Sequence, residues 1–305
     1  MKSKKMLAAV IAAAMATTVG LSSLPAFAQD SYTSIGDLTV NYQVNPLGVD
    51  FQDTIRFSWN MNSNLIGQGQ QSYQIKLYQD NTTGNPIWDS GVVSSSQSSG
   101  IAYNGNQLKN ETHYCWTVTV VDKQGKSITS EPAHFDTGCD FGDAKWIMPT
   151  SQENGAPMLR TEQKLTGKEV ASAKLYISSL GIYTAYLNGQ EVKAEQNGET
   201  VDDIFNPGWT DYKYYTNYQT YDVTDYISGD SLAMGVMLGK GWYAGNISSV
   251  GAYQDVIGDS GEGATNELAL IAKLAITYAD GSTQVINTNQ NDWKSSDYSP
   301  VTAND

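Results

Sequence analysis

Hydrophobic and polar positions alternate along most of the chain. Thr54-Ile55-Arg56-Phe57-Ser58-Trp59, Tyr73-Gln74-Ile75-Lys76-Leu77-Tyr78 and Tyr114-Cys115-Trp116-Thr117-Val118-Thr119-Val120 each repeat with period two. That spacing places every second side chain on one face of a β-strand. Aromatic and β-branched residues fill these runs, as half-buried strands require. Asp80 to Pro86, Asn104-Gly105 and Asp122 to Gly125 separate them with turn residues. After residue 28 no amphipathic helical stretch of convincing length is present.

Strands at intervals of roughly 8–12 residues with such turns predict a sandwich. Residues 29–139 therefore read as a small fibronectin III- or immunoglobulin-like sandwich of about seven strands, with Trp59 and Trp116 in its core. The pattern restarts near Trp146. Lys174 to Ser178 leads into Gly181 to Leu187, and Asn188-Gly189 follows as a hairpin signal. The mostly apolar run Ser231 to Leu238 predicts a strand buried on both faces, and Ala194 to Phe205 reads as a polar loop. Glu267 to Tyr278, the turn Ala279 to Ser282 and Thr283 to Ile286 complete residues 140–305. The second module is predicted to be a jelly-roll (galactose-binding-like) sandwich, so the fold class is all-β.

Residues 1–28 break the pattern. Lys2, Lys4 and Lys5 precede a nearly unbroken apolar run from Met6 to Val19, and Ala26-Phe27-Ala28 supplies a small-x-small motif. This is the layout of a cleaved signal peptide, with cleavage between Ala28 and Gln29. The run is shorter than the roughly 20 residues of a spanning helix. The expected product is secreted, extracellular and free of the membrane after processing. The leader carries three lysines and no acid, so a formal charge of −14 becomes −17 on its removal. So acidic a surface argues against nucleic acid or anionic membrane as partners. It leaves carboxylates available for calcium outside the cell, although no cofactor is required. Export makes a disulfide between Cys115 and Cys139 an option that spacing alone does not decide. His113 and His134 are isolated, and no zinc-ligand pattern is present.

Candidate chemistry is sparse. Asp202-Asp203 and Glu195/Glu199 are the visible carboxylate clusters. They sit in a polar stretch where a solvated turn is the ordinary reading, so no catalytic residue is assigned. Two segments place aromatic rings among turn residues: Asn206-Pro207-Gly208-Trp209-Thr210-Asp211-Tyr212 and Gly239-Lys240-Gly241-Trp242-Tyr243-Ala244-Gly245. Exposed aromatic faces stack on sugar rings while Asn and Asp read hydroxyls. Asn206, Trp209, Asp211, Tyr212, Trp242 and Tyr243 are therefore the carbohydrate-binding candidates. A tryptophan packed beneath its own loop is the competing role for Trp209 and Trp242.

Asn45-Pro46-Leu47-Gly48-Val49-Asp50, Phe57-Ser58-Trp59, Ile87-Trp88-Asp89-Ser90-Gly91 and Phe135-Asp136-Thr137-Gly138 resemble the opening module of bacterial α-L-rhamnosidases of glycoside hydrolase family 78. Leu180-Gly181-Ile182-Tyr183, Leu187-Asn188-Gly189, Pro207-Gly208-Trp209-Thr210, Tyr221-Asp222-Val223-Thr224 and Leu238 to Gly245 look like that family's N-terminal β-domain. The resemblance implies a chain that continues into an (α/α)6 barrel, whose acidic residues hydrolyse α-L-rhamnosides with inversion. None of those residues maps onto this chain. It also implies a module similar to a calcium-dependent rhamnose-binding domain.

Three functions fit: the non-catalytic N-terminal part of a secreted rhamnosidase, its partners being a rhamnose-containing glycan and the enzyme's own catalytic domain; a stand-alone carbohydrate-binding protein; and a structural or adhesive β-module. Full burial of both Trp209 and Trp242 with no cleft nearby would favour the last.

Overall fold

The computed structural model describes residues 32–152, 155–196, 199–245 and 267–302. The leader and its Ala28–Gln29 junction lie outside the described residues. The first module has eight described strands: β1 (Thr33–Val40), β2 (Arg56–Ser63), β3 (Gln70–Gln79), β4 (Trp88–Asp89), β5 (Ile101–Ala102), β6 (His113–Asp122), β7 (Ser127–Thr129) and β8 (Ala133–Asp136). One sheet runs β1-β2-β5. The other runs β4-β3-β6-β7, with β8 also on β6. The alternation read from the sequence sets the inner faces: Tyr73, Ile75 and Leu77 from β3 meet Tyr114, Trp116, Val118 and Val120 from β6. Trp59 and Trp116 are both buried there, and Phe57 lies 4.7 Å from Trp116, ring centre to ring centre.

The second module has strands β9 (Met158–Lys164), β10 (Val170–Leu180), β11 (Ile182–Leu187), β12 (Gln190–Glu191), β13 (Ala194–Gln196), β14 (Glu199–Val201), β15 (Gln219–Asp222), β16 (Ser231–Gly239), β17 (Ala269–Tyr278), β18 (Thr283–Asn287) and β19 (Lys294–Ser296). A four-stranded sheet, β15-β10-β17-β18, faces a five-stranded one, β12-β11-β16-β9-β19. Leu175 and Ile177 of β10, Leu270 and Leu274 of β17, and Met234, Val236 and Leu238 of β16 form the separate core between them. Each such side chain contributes on the order of 1.5–3 kcal/mol on burial. The Asn188-Gly189 turn joins β11 to β12 with φ of 51° and 81°. Both central residues are left-handed, as a tight hairpin demands.

Two sequence expectations change. β13 and β14 pair as a short hairpin inside the stretch read as loop. β16 is buried on one face only, through Leu232, Met234, Val236 and Leu238. Its other face, Ala233, Gly235 and Met237, floors an open apolar groove of about 370 Å³ walled by Tyr186, Met158 and Arg160. Small and apolar outward residues made the run look doubly buried.

Part of the outer face of the four-stranded sheet is covered by the first module. Lys174 and Tyr176 of β10 and Lys273 of β17 alternate with the core residues and meet the end of the first module. Lys174 Nζ lies 3.0 Å from Asp136 and 2.8 Å from Asp222. His113 Nδ1 holds the other oxygen of Asp136 at 2.6 Å. Lys273 pairs with Glu111 and donates to the Asp140 carbonyl at 3.0 Å. Tyr176 is fully buried between them.

Two glycines let side chains of the second module seat on the first. Within the first module the Val49 N–H donates to the Asp136 carbonyl at 3.0 Å, and the Gly138 N–H to the Val49 carbonyl at 2.7 Å. A Cβ at Gly138 would stand 2.0 Å from the Tyr218 hydroxyl oxygen, and one at Gly48 would stand 2.6 Å from Thr220 Oγ1. The Cys139 N–H donates to that Tyr218 hydroxyl at 3.1 Å.

Burial raises the Asp136 carboxyl, but the His113 hydrogen bond and Lys174 outweigh it and hold it below its ordinary range. Asp222 is likewise depressed: burial opposes, and Lys174 and Thr224 prevail. Burial lowers Lys174, and Asp136 with Asp222 more than reverses that, so its ammonium is held above its usual range.

Cys115 and Cys139 are both buried and free, with no disulfide between them. Cys115 sits on β6 opposite His134, on the face away from the core. Cys139 lies at the module junction, where burial, then Glu111, pushes its thiol up to about 12. Among the described residues no helix is long and apolar enough to cross a membrane.

Candidate functional site

The two aromatic segments singled out from the sequence come together at one end of the second module. Residues 202–216 follow β14 as a loop. Gly239 ends β16, and the next residues form the four-residue helix α1 (Gly241–Ala244). Gly241 has φ of 50°, and a Cβ there would stand 2.6 Å from Ile182 Cγ2. Only glycine turns the chain in that space. The turn delivers Trp242 and Tyr243 to the loop: the Phe205 and Trp242 rings meet at 5.5 Å, and Tyr212 and Tyr243 at 5.1 Å, both edge to face.

The candidates then divide. Trp209 is 61% exposed and presents its ring to solvent. Trp242 is half-buried, so the two tryptophans are not both packed away. Tyr243 is buried and Tyr212 half-buried against it; these two support the loop. Asp211 accepts the Tyr214 N–H at its carbonyl and the Lys213 N–H at Oδ1, which shapes the turn. Asn206 is only 5% exposed, and its Nδ2 donates to the Tyr221 hydroxyl at 2.9 Å.

Beneath the loop lies a polar chain. Tyr221 donates to Asp203 Oδ2 at 2.8 Å, and its oxygen lies 3.2 Å from the Tyr183 hydroxyl, which donates to Gln219 at 2.9 Å. Burial pushes both phenols well above their ordinary range; for Tyr221 the Tyr183 hydrogen bond opposes that rise and Asp203 adds to it. Both therefore remain protonated donors. The result fixes Asp203, half-exposed at the loop surface, as an oriented acceptor. Asn206 Oδ1 is buried with no hydrogen-bond partner among the described residues.

Sequence reasoning missed Phe205, Tyr214 and Tyr215, all exposed, and passed over Asp203 as a solvated turn. The density of rings between Phe205 and Tyr218, in an otherwise polar stretch, was the available signal. Asp202 instead pairs with Lys193. Among the described residues no three His, Cys, Asp or Glu side chains converge on a cation position.

Exposed aromatic rings in a loop anchored by buried hydroxyl and amide groups can take the apolar face of a sugar ring, with the half-exposed Asp203 as an acceptor. Comparison with known proteins bears on this arrangement. Residues 168–305 match the family described as the alpha-L-rhamnosidase N-terminal domain, and residues 35–140 match that of the Rha78A-like N-terminal immunoglobulin domain. A curated alpha-L-rhamnosidase of Alteromonas sp. (strain LOR) is 30% identical over 276 residues, covering 85% of this chain and 28% of that protein. The solved structure of an alpha-L-rhamnosidase from Dictyoglumus thermophilum is similar at 27% identity with a TM-score of 0.70, covering 86% of this chain and 29% of that one. The Streptomyces avermitilis alpha-L-rhamnosidase complexed with L-rhamnose shares the fold at TM-score 0.76 and 21% identity, over 90% of this chain and 42% of that one. The chain thus spans about a quarter of the length of the curated relatives it matches.

Proposed function

The chain belongs to the α-L-rhamnosidase N-terminal family, as an immunoglobulin-like domain followed by the rhamnosidase N-terminal β-domain, and from that premise we propose that it is the non-catalytic, sugar-recognising part of a secreted rhamnosidase. The intact enzyme removes terminal α-L-rhamnose from glycans, and these modules hold the glycan near its catalytic domain. The observation that carries this reading is Trp209, exposed in the same loop as the exposed rings of Phe205, Tyr214 and Tyr215, a loop whose Asp203 is held by the Tyr183–Tyr221 hydrogen-bond chain. Family membership makes L-rhamnose the first ligand to try. Export with cleavage after Ala28 is part of the same proposal; mass spectrometry of the mature N-terminus checks it.

Titration calorimetry of the purified chain with L-rhamnose, with calcium and again with a chelator, is the test. Binding heat that disappears in Trp209→Ala is expected, with no turnover of an aryl α-L-rhamnoside. Turnover would sink the non-catalytic reading, and no heat under either condition would leave the structural module in its place. The chelator arm decides whether calcium takes part.

A further inference from the structure

One concavity lies apart from the exposed rings of the aromatic loop. It is a cleft of about 440 Å³ between the two modules. One wall is the first module's segment 42–47, and the other is Lys193, Ala194 and Glu195 with Thr220 and Asp222 of β15. Its size falls within the roughly 300–1,000 Å³ of small-molecule sites, which favour domain boundaries. We propose that this cleft is a second saccharide subsite, taking a further unit of the glycan whose end sits at Trp209.

Three observations carry this. First, the cleft is built on a fixed floor: the Lys174 ion pairs and the glycine contacts lock its two walls together. Second, its lining has the mixed chemistry that a sugar ring needs. Tyr42 is 68% exposed and Val44 is exposed beside it, which gives an apolar wall. Opposite stand the exposed carboxylate of Glu195 and the Asp222 carboxylate. Thr220 lines the same wall, with its Oγ1 turned toward Gly48 at the seam. Third, the cleft and the loop share elements: Lys193 of the cleft pairs with Asp202 of the loop, and β15, whose Thr220 and Asp222 line the cleft, carries on its other face Tyr221, whose hydroxyl orients Asp203.

The inference rests on the sugar-recognising reading, and the experiment separates the two. Calorimetry of the full chain uses L-rhamnose and a rhamnose-terminated trisaccharide as probes, with Val44→Arg and Tyr42→Ala as cleft variants. Both positions are exposed, so both variants fold. The trisaccharide should bind roughly tenfold more tightly than the monosaccharide, the increment of one stacked ring with its hydrogen bonds. Val44→Arg should remove that increment and leave monosaccharide binding unchanged, while Trp209→Ala removes the latter. Backbone amide shifts over residues 42–47 and 220–222 should move with the trisaccharide only. A trisaccharide that binds no tighter than the monosaccharide, or equally well to Val44→Arg, overturns the cleft and spares the loop. Trisaccharide binding that is sensitive to Val44→Arg but not to Trp209→Ala supports the cleft and overturns the loop. No binding of either sugar overturns both.

Discussion

The glycine contact at the module junction can be tested at the level of one oxygen atom. Gly138→Ala would put a methyl group 2.0 Å from the Tyr218 hydroxyl oxygen, while the next nearest atom, the ring carbon bearing it, stands 3.4 Å away. The clash is therefore with the hydroxyl alone. Forcing an extra methyl into a packed site costs about 1–3 kcal/mol. Tyr218→Phe alone leaves the Cys139 N–H without its partner, at about 1–3 kcal/mol. In the double variant the hydroxyl is gone, so the new methyl meets only ordinary contacts, and the total should approach that of Tyr218→Phe alone. The coupling should be favourable by about 1–2 kcal/mol. Urea unfolding followed by tryptophan fluorescence and by circular dichroism, on all four proteins, gives the cycle. Simple additivity of the two single costs would refute the reasoning, because the methyl would then be colliding with something other than that oxygen.

Three further predictions follow from the same region and the core. Lys174→Met leaves the buried Asp136 with His113 alone and the part-exposed Asp222 without its ion partner, and should destabilise by about 1–3 kcal/mol, read from the same urea curves; Asp136→Asn in that background should recover part of the loss. Asp136 and Asp222 have depressed folded-state pKa values, so their stabilisation is complete above the ordinary carboxylate pKa of about 3.9 and is lost as pH falls through the folded values. Lys174 is raised, and its share is present below about 10.4 and is lost as pH climbs through its folded value. Thermal melting across pH should show a plateau between those limits, steepened at the acid end and flattened there by Lys174→Met. Finally, both thiols should resist iodoacetamide in the folded protein and both react in denaturant without reductant; recovery of no free thiol from the purified protein would contradict the unpaired, buried placement of Cys115 and Cys139.

Much of the fold was legible because period-two alternation is written directly into strands such as β3, β6 and β11, and because Asn188-Gly189 leaves little choice of turn. The junction was not legible. Lys174, Tyr176 and Lys273 occupy the alternate positions that in an isolated sandwich would face water, and nothing local distinguishes a solvated lysine from one reaching another module. Asn45 to Asp50 and Phe135 to Gly138 stood out as family-like motifs, yet their role, backbone against backbone at this contact, needed coordinates. At the loop the sequence singled out two segments that the fold brings together. It could not separate Trp209, exposed, from Tyr243, buried, because both are aromatic residues among glycines and turn formers. Asp203 gains its importance only from Tyr221, distant in sequence but one hydrogen bond away.

The close seating of Thr220 and Tyr218 against Gly48 and Gly138 has a consequence for how such chains can be recombined. A linker of ordinary length invites the exchange of one module for a relative's, as beads on a string. Here the seam is a matched set: Gly48 with Thr220, Gly138 with Tyr218, Asp136 with Lys174, and Glu111 with Lys273. A chimera that takes residues 32–140 from one parent and the remainder from another inherits half of each pair. It should fold both sandwiches and still fail at the seam unless all four pairs are carried across together. The heritable unit is the two-module block, and the boundary between its sandwiches is a poor place to cut.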